Sequence, residues 1–238
     1  MFRAGLTFFI AYVILKKIEK MVGRNMTTMI FVRHGQSLGN LQKKFLGHTD
    51  LDLSELGYQQ AECAGAYIAE HYVVDKIYAS DLIRAYHTAE AAAKRLQLPI
   101  IKEPKLREIY AGDWEKKTFT ELEAEYPTEY QAWLSDIGNA KCTNGETVKE
   151  LQKRVLPCVE KIAKEDDGKT VLIATHATVL RVLECAWRGK TLDEMKHFPW
   201  VRNASVSVVT YENGKWTIQK IGDDSFLKEL ASGLPANV

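Results

Sequence analysis

The chain contains few cysteines, and none of them forms a recognisable pair. Only 4 of its 238 residues are cysteine, with no CxxC spacing and no histidine at the spacing of a zinc ligand. Small secreted domains and structural zinc sites depend on such pairs. The sequence therefore excludes a disulfide scaffold and a zinc module, and it predicts isolated, reduced thiols in a cytoplasmic protein. The four cysteines are Cys63, Cys142, Cys158 and Cys185.

An excess of positive charge is also absent. Lysine and arginine total 32 against 31 for aspartate and glutamate, which leaves a formal net charge of +1. A general nucleic-acid binder needs a basic surface that displaces the counterions of the phosphate backbone. We therefore expect no nucleic-acid partner, and any positive charge used for binding must be concentrated in one place.

The sequence has no apolar run long enough to span a bilayer as a helix. The strongest candidate, residues 4–15, contains twelve residues, whereas a spanning helix needs about 20. Charged residues follow this run, where a signal peptide would have small residues at its cleavage site. Two interpretations stay open: a short anchor that gives weak membrane association, or an upstream extension ahead of Met26. We favour the extension.

From Met26 onward, strand-like and helix-like segments alternate, a pattern typical of an α/β fold. No internal repeat, low-complexity linker or change in composition interrupts this part of the chain, and its length is compatible with one domain. We predict a single domain over residues 26–222, preceded by an extension, 1–25, and followed by a loosely held tail, 223–238. The predicted strands are residues 28–32, 76–79, 100–101, 170–174, 205–211 and 215–220, the last two joined by a turn at Asn213 and Gly214, and the predicted helices are residues 53–72, 81–96, 146–165 and 177–188.

Two histidines and two arginines follow predicted strands. Arg33 and His34 come directly after the first strand, and His176 comes directly after the fourth. Arg84 lies in the first turn of the helix after the second strand, where backbone N–H groups favour an anion. Parallel strands bring their carboxyl ends to one edge of the sheet, and the guanidinium fork matches phosphate oxygens. Each residue alone has an ordinary structural explanation, but their joint occurrence predicts a phosphate pocket.

The motifs around these residues resemble the histidine phosphatase superfamily, branch 1, whose members are phosphoglycerate-mutase-like enzymes. RHGQSLGN at residues 33–40 looks like the family signature, and the similarity covers roughly residues 28–210. The RHG triplet alone is weak, whereas the ordered series is specific. Within the superfamily, the chain is most similar to phosphatases of the broad-specificity or α-ribazole-phosphate type. The further motifs are GHTDLDLSELGYQQA (47–61), SDLIRAYHTAE (80–90), LREIYAGDWE (106–115), NGETVKEL (144–151), ATHATVLRVL (174–183) and NASVS (203–207).

This resemblance implies a fold and a reaction. The fold is an α/β three-layer sandwich in which helices flank a mostly parallel central sheet. In the reaction, His34 becomes a phosphohistidine, while Glu108 protonates the leaving oxygen and then activates water. Arg33, Arg84 and His176 bind the phosphoryl oxygens, and no metal or cofactor takes part. The further expected substrate contacts are Gly35, Gln36, Ser37, Asn40 and Ala177, whereas His48, His71, His87 and His197 match no catalytic position and are expected to be structural or exposed.

Elementary chemistry supports these roles but does not select the acid. Imidazole keeps a free lone pair at neutral pH, so a histidine is a suitable nucleophile. A poor alkoxide leaving group needs a proton, which a carboxylic acid can supply. Glu108 has acidic neighbours, and its selection rests on the resemblance alone. The competing carboxylates are Glu103, Asp113 and Glu115.

The segment from Gly112 to Glu146 bears on the choice between phosphatase and mutase. Mutases of this family carry adjacent arginines there, whereas this segment contains no arginine and is acidic and aromatic. We therefore expect a phosphatase whose partner is a small phosphorylated metabolite. Two alternatives stay open: a cofactor-dependent phosphoglycerate mutase, and a non-catalytic relative that only binds phosphate. The cations of the segment are Lys116, Lys117 and Lys141.

Overall fold

The structure is a computed structural model that describes residues 26–233. The predicted extension 1–25, with its candidate anchor at 4–15, lies outside the described residues. Within residues 26–233, no helix combines the length and the apolar character that crossing a membrane requires.

Six strands form one mixed sheet in the centre of the molecule. They are β1 (Met26–Arg33), β2 (Lys76–Ala79), β3 (Ile100–Lys102), β4 (Thr170–Thr175), β5 (Val206–Glu212) and β6 (Lys215–Asp223). Their order across the sheet is β3-β2-β4-β1-β5-β6. The pairs β1–β4, β2–β4 and β2–β3 are parallel, whereas β5 runs antiparallel to both β1 and β6. The predicted mostly parallel sheet is therefore confirmed, with a hairpin at one edge.

The helices begin where the chain offers side-chain caps. The Ser54 hydroxyl accepts from the Gly57 N–H at the start of the helix that begins at Glu55. Thr147 and Glu150 form a capping box at the start of the helix that begins at Val148. The predicted starts at residues 53 and 146 are therefore slightly early, because the capping residue precedes the helix. The helices are α1 (Leu38–Leu41), α2 (Glu55–His71), α3 (Ile83–Leu96), α4 (Phe119–Glu125), α5 (Pro127–Ser135), α6 (Val148–Glu165) and α7 (Ala177–Trp187), with short 3-10 turns at Pro104–Leu106, Gly112–Trp114, Ile137–Asn139, Leu192–His197 and Lys228–Leu230.

The helices cover both faces of the sheet and make three layers. Alternate residues of β1 point to opposite faces, as strand geometry requires. Met29 and Phe31 pack in a core with α6 and α7, while Ile30 and Val32 pack in a second core with α2 and α3. β4 is buried along its whole length, as expected for a central parallel strand. The predicted three-layer α/β sandwich is confirmed.

Two helices, α4 and α5, lie in the segment 112–146, where the hydrophobic period predicts none. They span 7 and 9 residues, which is too short for a clear amphipathic stripe. Local signals are present nevertheless: Thr118 and Glu121 form a capping box, and Pro127 occupies the first turn of α5. Together these helices cover the carboxyl edge of the sheet.

The described part of the carboxyl-terminal tail is packed against the domain. Leu227 is only 1% exposed, and Phe226 stacks on Tyr67 of α2 with ring centroids 4.4 Å apart. The Gln60 Nε2 also donates to the Leu230 carbonyl at 2.7 Å. The prediction of a loosely held tail was therefore wrong up to residue 233, because apolar side chains in it reach the core beside α2.

Candidate active site

A cavity of about 100 Å³ opens at the carboxyl ends of β1 and β4. Most of the polar residues that the sequence places in the site line it, although they come from separate parts of the chain. The sheet topology explains this convergence, because β1, β2 and β4 are neighbours and parallel. These polar lining residues are Arg33, His34, Ser37, Asn40, Arg84 and Glu108.

The His34 ring is held in one tautomer. Its Nδ1 lies 2.7 Å from the carbonyl oxygen of Gly35, which can only accept a hydrogen bond, so Nδ1 carries the proton. The lone pair is therefore on Nε2. Burial lowers the pKa of His34 well below its usual value, and the charges of Arg84 and Arg33 lower it further. The imidazole is neutral at pH 7 and available as a nucleophile.

Two arginines beside His34 are buried without a carboxylate partner. Arg84 is 1% exposed, and its guanidinium donates to the carbonyls of Thr49 and Gly47 at 2.9 and 2.8 Å. Arg33 is also buried and donates to the Val201 carbonyl at 2.6 Å. Within the described part of the chain, neither arginine forms an ion pair, and the Nε of each has no partner. Burial lowers both pKa values to about 10, so both cations persist at neutral pH.

His176 brings a third donor to the same place. It is fully buried, and its ring centroid lies 5.1 Å from that of His34. The Nε2 lies 2.8 Å from the Ser80 hydroxyl, which accepts from the Leu82 N–H and can donate its own hydrogen to Nε2. In that tautomer Nδ1 carries a hydrogen, and Nδ1 has no partner among the described residues. Burial, followed by the charge of Arg84, lowers the pKa of His176 well below its usual value.

Two buried cations and an unpaired N–H around one imidazole make a strong anion site. Burying an unpaired charge lowers the stability of the folded protein by roughly several kcal/mol unless a counter-charge is supplied. A phosphoryl group provides that charge and has enough oxygens for every open donor. The geometry therefore fits a phosphate ester presented to the Nε2 of His34.

Glu108 lies in the loop after the 3-10 turn and lines the cavity. Its Oε2 accepts from the Thr178 N–H at 3.2 Å, and its Oε1 accepts from the Ile109 N–H at 2.9 Å. The carboxyl group is thereby fixed across from His34, at the start of α7. A carboxyl group in this position can exchange a proton with the leaving oxygen.

The competing carboxylates are engaged elsewhere. Glu115 accepts from the backbone N–H groups of His48 and Thr49, and from the Thr49 hydroxyl. Asp113 accepts from the Asn144 side chain, and Glu103 caps the 3-10 turn that follows it. None of the three lines the cavity.

The backbone of Glu108 is held by Arg154, which sequence reasoning missed, and by His48, which the sequence analysis expects to be structural or exposed. Arg154 on α6 donates to the Glu108 carbonyl at 2.7 Å, and the His48 Nε2 lies 2.9 Å from the same oxygen. Arg154 also donates to the carbonyls of Lys105 and Arg107 and pairs bidentately with Glu146. No sequence signal identifies Arg154, since its partners lie far away along the chain.

Asn40 and Ser37 form a capping box at α1 inside the site. The Asn40 Oδ1 accepts from the Ser37 N–H, the Ser37 hydroxyl and the Asn203 side chain. These bonds fix the orientation of the Asn40 amide and leave its Nδ2 as the donor that faces the cavity. Asn203 also donates to the His34 carbonyl at 3.0 Å. Asn203 belongs to the NASVS motif, which the sequence analysis identifies, but its contacts with His34 and Asn40 were not predicted from the sequence.

Gly35, Gln36 and His176 do not line the cavity, although the sequence predicts all three as substrate contacts; His176 is buried behind the lining, against His34. The Gly35 N–H donates to the Thr88 hydroxyl, and the Gln36 N–H donates to the Gln60 side chain. A Cβ at Gly35 would lie 2.4 Å from the Gly57 carbonyl, so this position requires glycine for close packing. Ala177 does line the cavity, as the first residue of α7.

Aromatic side chains also line the cavity. Phe119 and Trp133 reach it from α4 and α5, and Phe45 and Trp200 reach it from irregular segments. Lys44 is a further cation of the lining. In the described part of the chain, no group of three or more histidine, cysteine or carboxylate side chains could hold a metal ion.

Comparisons with known proteins agree with this geometry. The model of the histidine phosphatase superfamily (branch 1) matches residues 29–224. Phosphoserine phosphatase 1 of Hydrogenobacter thermophilus is 31% identical over 205 residues, which cover 86% of this chain and 96% of that protein. The adenosylcobalamin/alpha-ribazole phosphatase of Escherichia coli is 31% identical over 168 residues, or 70% and 82% of the two chains. The solved structure of Bacillus stearothermophilus YhfR superposes with a TM-score of 0.81 at 32% identity, covering 84% of this chain and 99% of that one.

Proposed function

Because the chain belongs to branch 1 of the histidine phosphatase superfamily and is a phosphatase, we propose that it hydrolyses small phosphate monoesters through a phosphohistidine on His34. One observation carries this proposal. Two buried, unpaired arginines and the open N–H of His176 surround the Nε2 of a neutral imidazole. Such a cluster needs an anion, and the nucleophile is already placed beside it.

In the first step, the phosphoryl oxygens bind to Arg33, Arg84 and His176, with Asn40 as a further donor. The Nε2 of His34 attacks phosphorus in line, so an N–P bond forms as the P–O bond to the leaving group breaks. Glu108 transfers its proton to the leaving oxygen, which departs as a neutral alcohol. The arginines neutralise the charge on the phosphoryl oxygens, which is the main requirement of phosphoryl transfer.

In the second step, water replaces the alcohol. The Glu108 carboxylate accepts a proton from this water, the water oxygen attacks phosphorus, and the N–P bond breaks. Inorganic phosphate leaves, and both His34 and Glu108 return to their starting protonation states. No step uses a metal ion or a cofactor.

The cavity lining favours hydrolysis over mutase activity. A mutase must hold a bisphosphorylated intermediate, which requires a second cationic subsite. The residues that reach the cavity from the segment 112–146 are Phe119 and Trp133, and neither is charged. A non-catalytic role is disfavoured because His34, Glu108 and the anion-binding side chains are all present.

We also propose a cytoplasmic location. All four cysteines are free in the structure and three of them are buried, as suits a reducing compartment. Cell fractionation tests this location, and recovery of the full chain in the membrane pellet would instead favour an anchor at residues 4–15.

The test of the reaction is chemical trapping. Enzyme turning over p-nitrophenyl phosphate is quenched with base and analysed by mass spectrometry for an acid-labile phosphate on His34. His34→Ala should lose the phosphate and lower turnover on the order of 10⁴-fold or more, since water would attack without covalent help. The matched control is His71→Ala at an exposed histidine remote from the cavity. Wild-type turnover in His34→Ala would refute the proposal.

A further inference from the structure

The cavity continues beyond the phosphate-binding groups as a wall of aromatic rings. Phe45 and Trp133 are buried, with ring centroids 5.1 Å apart, and Trp133 lies 6.3 Å from Trp200. Phe119 completes the set, and all four residues line the same cavity as His34. We call these four residues the aromatic wall. Because it adjoins the phosphate site, it lies where the leaving group of a bound ester must go.

Trp200, like Phe45, lies outside the helices and strands, and unlike Phe45 it is only partly buried. A buried arginine on α7 holds it. The guanidinium carbon of Arg181 lies 4.2 Å from the centre of the Trp200 ring, a cation–π distance. Arg181 also donates to the carbonyls of Met195 and Phe198 at 2.6 and 3.0 Å.

The other side of Trp200 is tied to the phosphate site. Arg33 donates to the Val201 carbonyl at 2.6 Å, so the residue after Trp200 is bonded to a phosphate-binding side chain. Arg181 and Arg33 thus fix the short segment that carries Trp200 from both sides. A half-exposed indole held this firmly at the mouth of a catalytic cavity is suited to bind substrate.

The charges of the lining point to the chemistry of the leaving group. Apart from the two phosphate-binding arginines, the charged side chains of the cavity are Lys44 and Glu108. A small, strongly charged leaving group would leave the aromatic wall uncovered and in water. A flat, uncharged ring would instead bury apolar area against Trp133 and Trp200.

We propose that the aromatic wall binds the leaving group, and that the substrates are phosphate monoesters of alcohols that carry a flat, uncharged ring. Trp200 determines this preference, and Arg181 is the positioning residue that holds Trp200 in place. This inference rests on the proposed phosphatase function, because it assigns the alcohol side of the same site.

The first experiment compares 3-phenylpropyl phosphate with propyl phosphate. The two alcohols have similar acidity, so the protonation step is equally demanding and the esters differ in the ring alone. The wild-type ratio of their kcat/KM values should favour the ring by about tenfold. In Trp200→Ala the ratio should fall towards one, and Trp200→Phe should restore part of it. A ratio near one in the wild type overturns the proposal.

A matched control separates this effect from the general loss of a tryptophan. Trp216 on β6 is half-buried and packs against Tyr211 and Trp187, away from the cavity. Trp216→Ala should keep the wild-type ratio. Arg181→Met should lower the ratio as Trp200→Ala does, and the double variant should lower it no further. If Arg181→Met slows both esters equally, the positioning role of Arg181 is refuted.

A second experiment measures binding without turnover. Calorimetric titration of the wild type with 3-phenylpropylphosphonate and propylphosphonate should give a dissociation constant about tenfold lower for the first. Equal affinities overturn the aromatic subsite even if both esters are hydrolysed. Tighter binding of the ring compound, together with no hydrolysis of any ester, supports the subsite and overturns the proposed function.

Discussion

Arg154 donates to the backbone carbonyl of Glu108 at 2.7 Å, although 46 residues separate the two along the chain. The same guanidinium pairs with Glu146 and holds two further carbonyls of the Glu108 loop. Arg154 touches no reacting atom, so its role is positional. It fixes the backbone of Glu108, which we propose as the proton donor.

We therefore expect Arg154→Lys to impair proton donation more than substrate binding. Lysine keeps the charge but lacks the fork that engages Glu146 and the carbonyls together. For an alkyl phosphate, kcat/KM should fall about tenfold, which corresponds to the loss of roughly one charged hydrogen bond. For p-nitrophenyl phosphate, whose leaving group needs no proton, kcat/KM should change little. Steady-state kinetics on both esters checks this, with the exposed Arg95→Lys as the control. Equal losses on both esters would reduce Arg154 to a purely structural role.

Glu108→Gln should show the same selectivity in a stronger form. Glutamine is similar in size but cannot give up a proton, so alkyl esters should slow by about 10² to 10⁴-fold. The kcat/KM of p-nitrophenyl esters should fall far less, because their leaving group is stable as an anion. The measurement is the dependence of kcat/KM on leaving-group acidity, since kcat also contains the hydrolysis of the phosphoenzyme, in which Glu108 serves as base for every ester; Asp113→Asn is the neighbouring control. A uniform loss across leaving groups would show that another group donates the proton.

The buried imidazole of His176 should make stability depend on pH. Its pKa in the folded protein is well below the ordinary 6.5, mainly because of burial. Below pH 6.5 the unfolded chain therefore binds a proton that the folded chain does not, and stability is lost as the pH falls. As the pH falls below 6.5, the loss of stability from this one group should approach roughly 1.4 kcal/mol per pH unit, and it should end where the pH reaches the folded-state pKa of His176.

Denaturant unfolding of wild type and His176→Asn over this range measures that contribution. The free energy of unfolding of the variant should fall less steeply with acid than that of the wild type. Above about pH 7 the two curves should run parallel, which serves as the internal control. Equal slopes below pH 6.5 would mean that His176 is not kept neutral by the fold.

The protein should be a poor phosphoglycerate mutase. Beyond Arg33 and Arg84, a second anionic group entering the cavity would meet the uncharged Phe119 and Trp133 and a lysine, Lys44, which lacks the bidentate fork of arginine. The phosphoenzyme should therefore be discharged by water, and added 2,3-bisphosphoglycerate should not stimulate turnover. The assay follows conversion of 3-phosphoglycerate to 2-phosphoglycerate alongside phosphate release, with p-nitrophenyl phosphate as the positive control. Cofactor-stimulated isomerisation that is faster than phosphate release would contradict the expectation.

The convergence of the proposed phosphate-binding residues was predictable because it depends on strand ends. Arg33 ends β1, His34 follows it and His176 follows β4, so recognising the strands was enough to bring these residues together. Arg84 follows from the same logic, since α3 begins soon after β2. Parallel pairing of the strands brings residues that are distant along the sequence to the same edge of the sheet.

The other half of the site depends on contacts that have no local pattern. Glu108 could not be separated from its acidic neighbours until the structure showed that Glu108 lines the cavity, whereas Glu103, Asp113 and Glu115 do not. Trp200 lies in an irregular segment, and its support comes from Arg181 on α7. Hydrophobic period carries no information about such pairs, because they form through tertiary packing rather than along an element.

The unpaired arginines affect the stability of the folded protein. An empty pocket keeps two desolvated cations close together, so the unliganded molecule has lost stability that a bound anion restores. Inorganic phosphate, which is the product, should therefore protect the fold as it inhibits the reaction. At a phosphate concentration 100 times its dissociation constant, linkage gives about 2.7 kcal/mol of protection. Heat and proteases would then unfold or degrade protein without a bound anion faster than protein that has bound phosphate. The supply of phosphate compounds would therefore influence both the activity of the enzyme and its abundance.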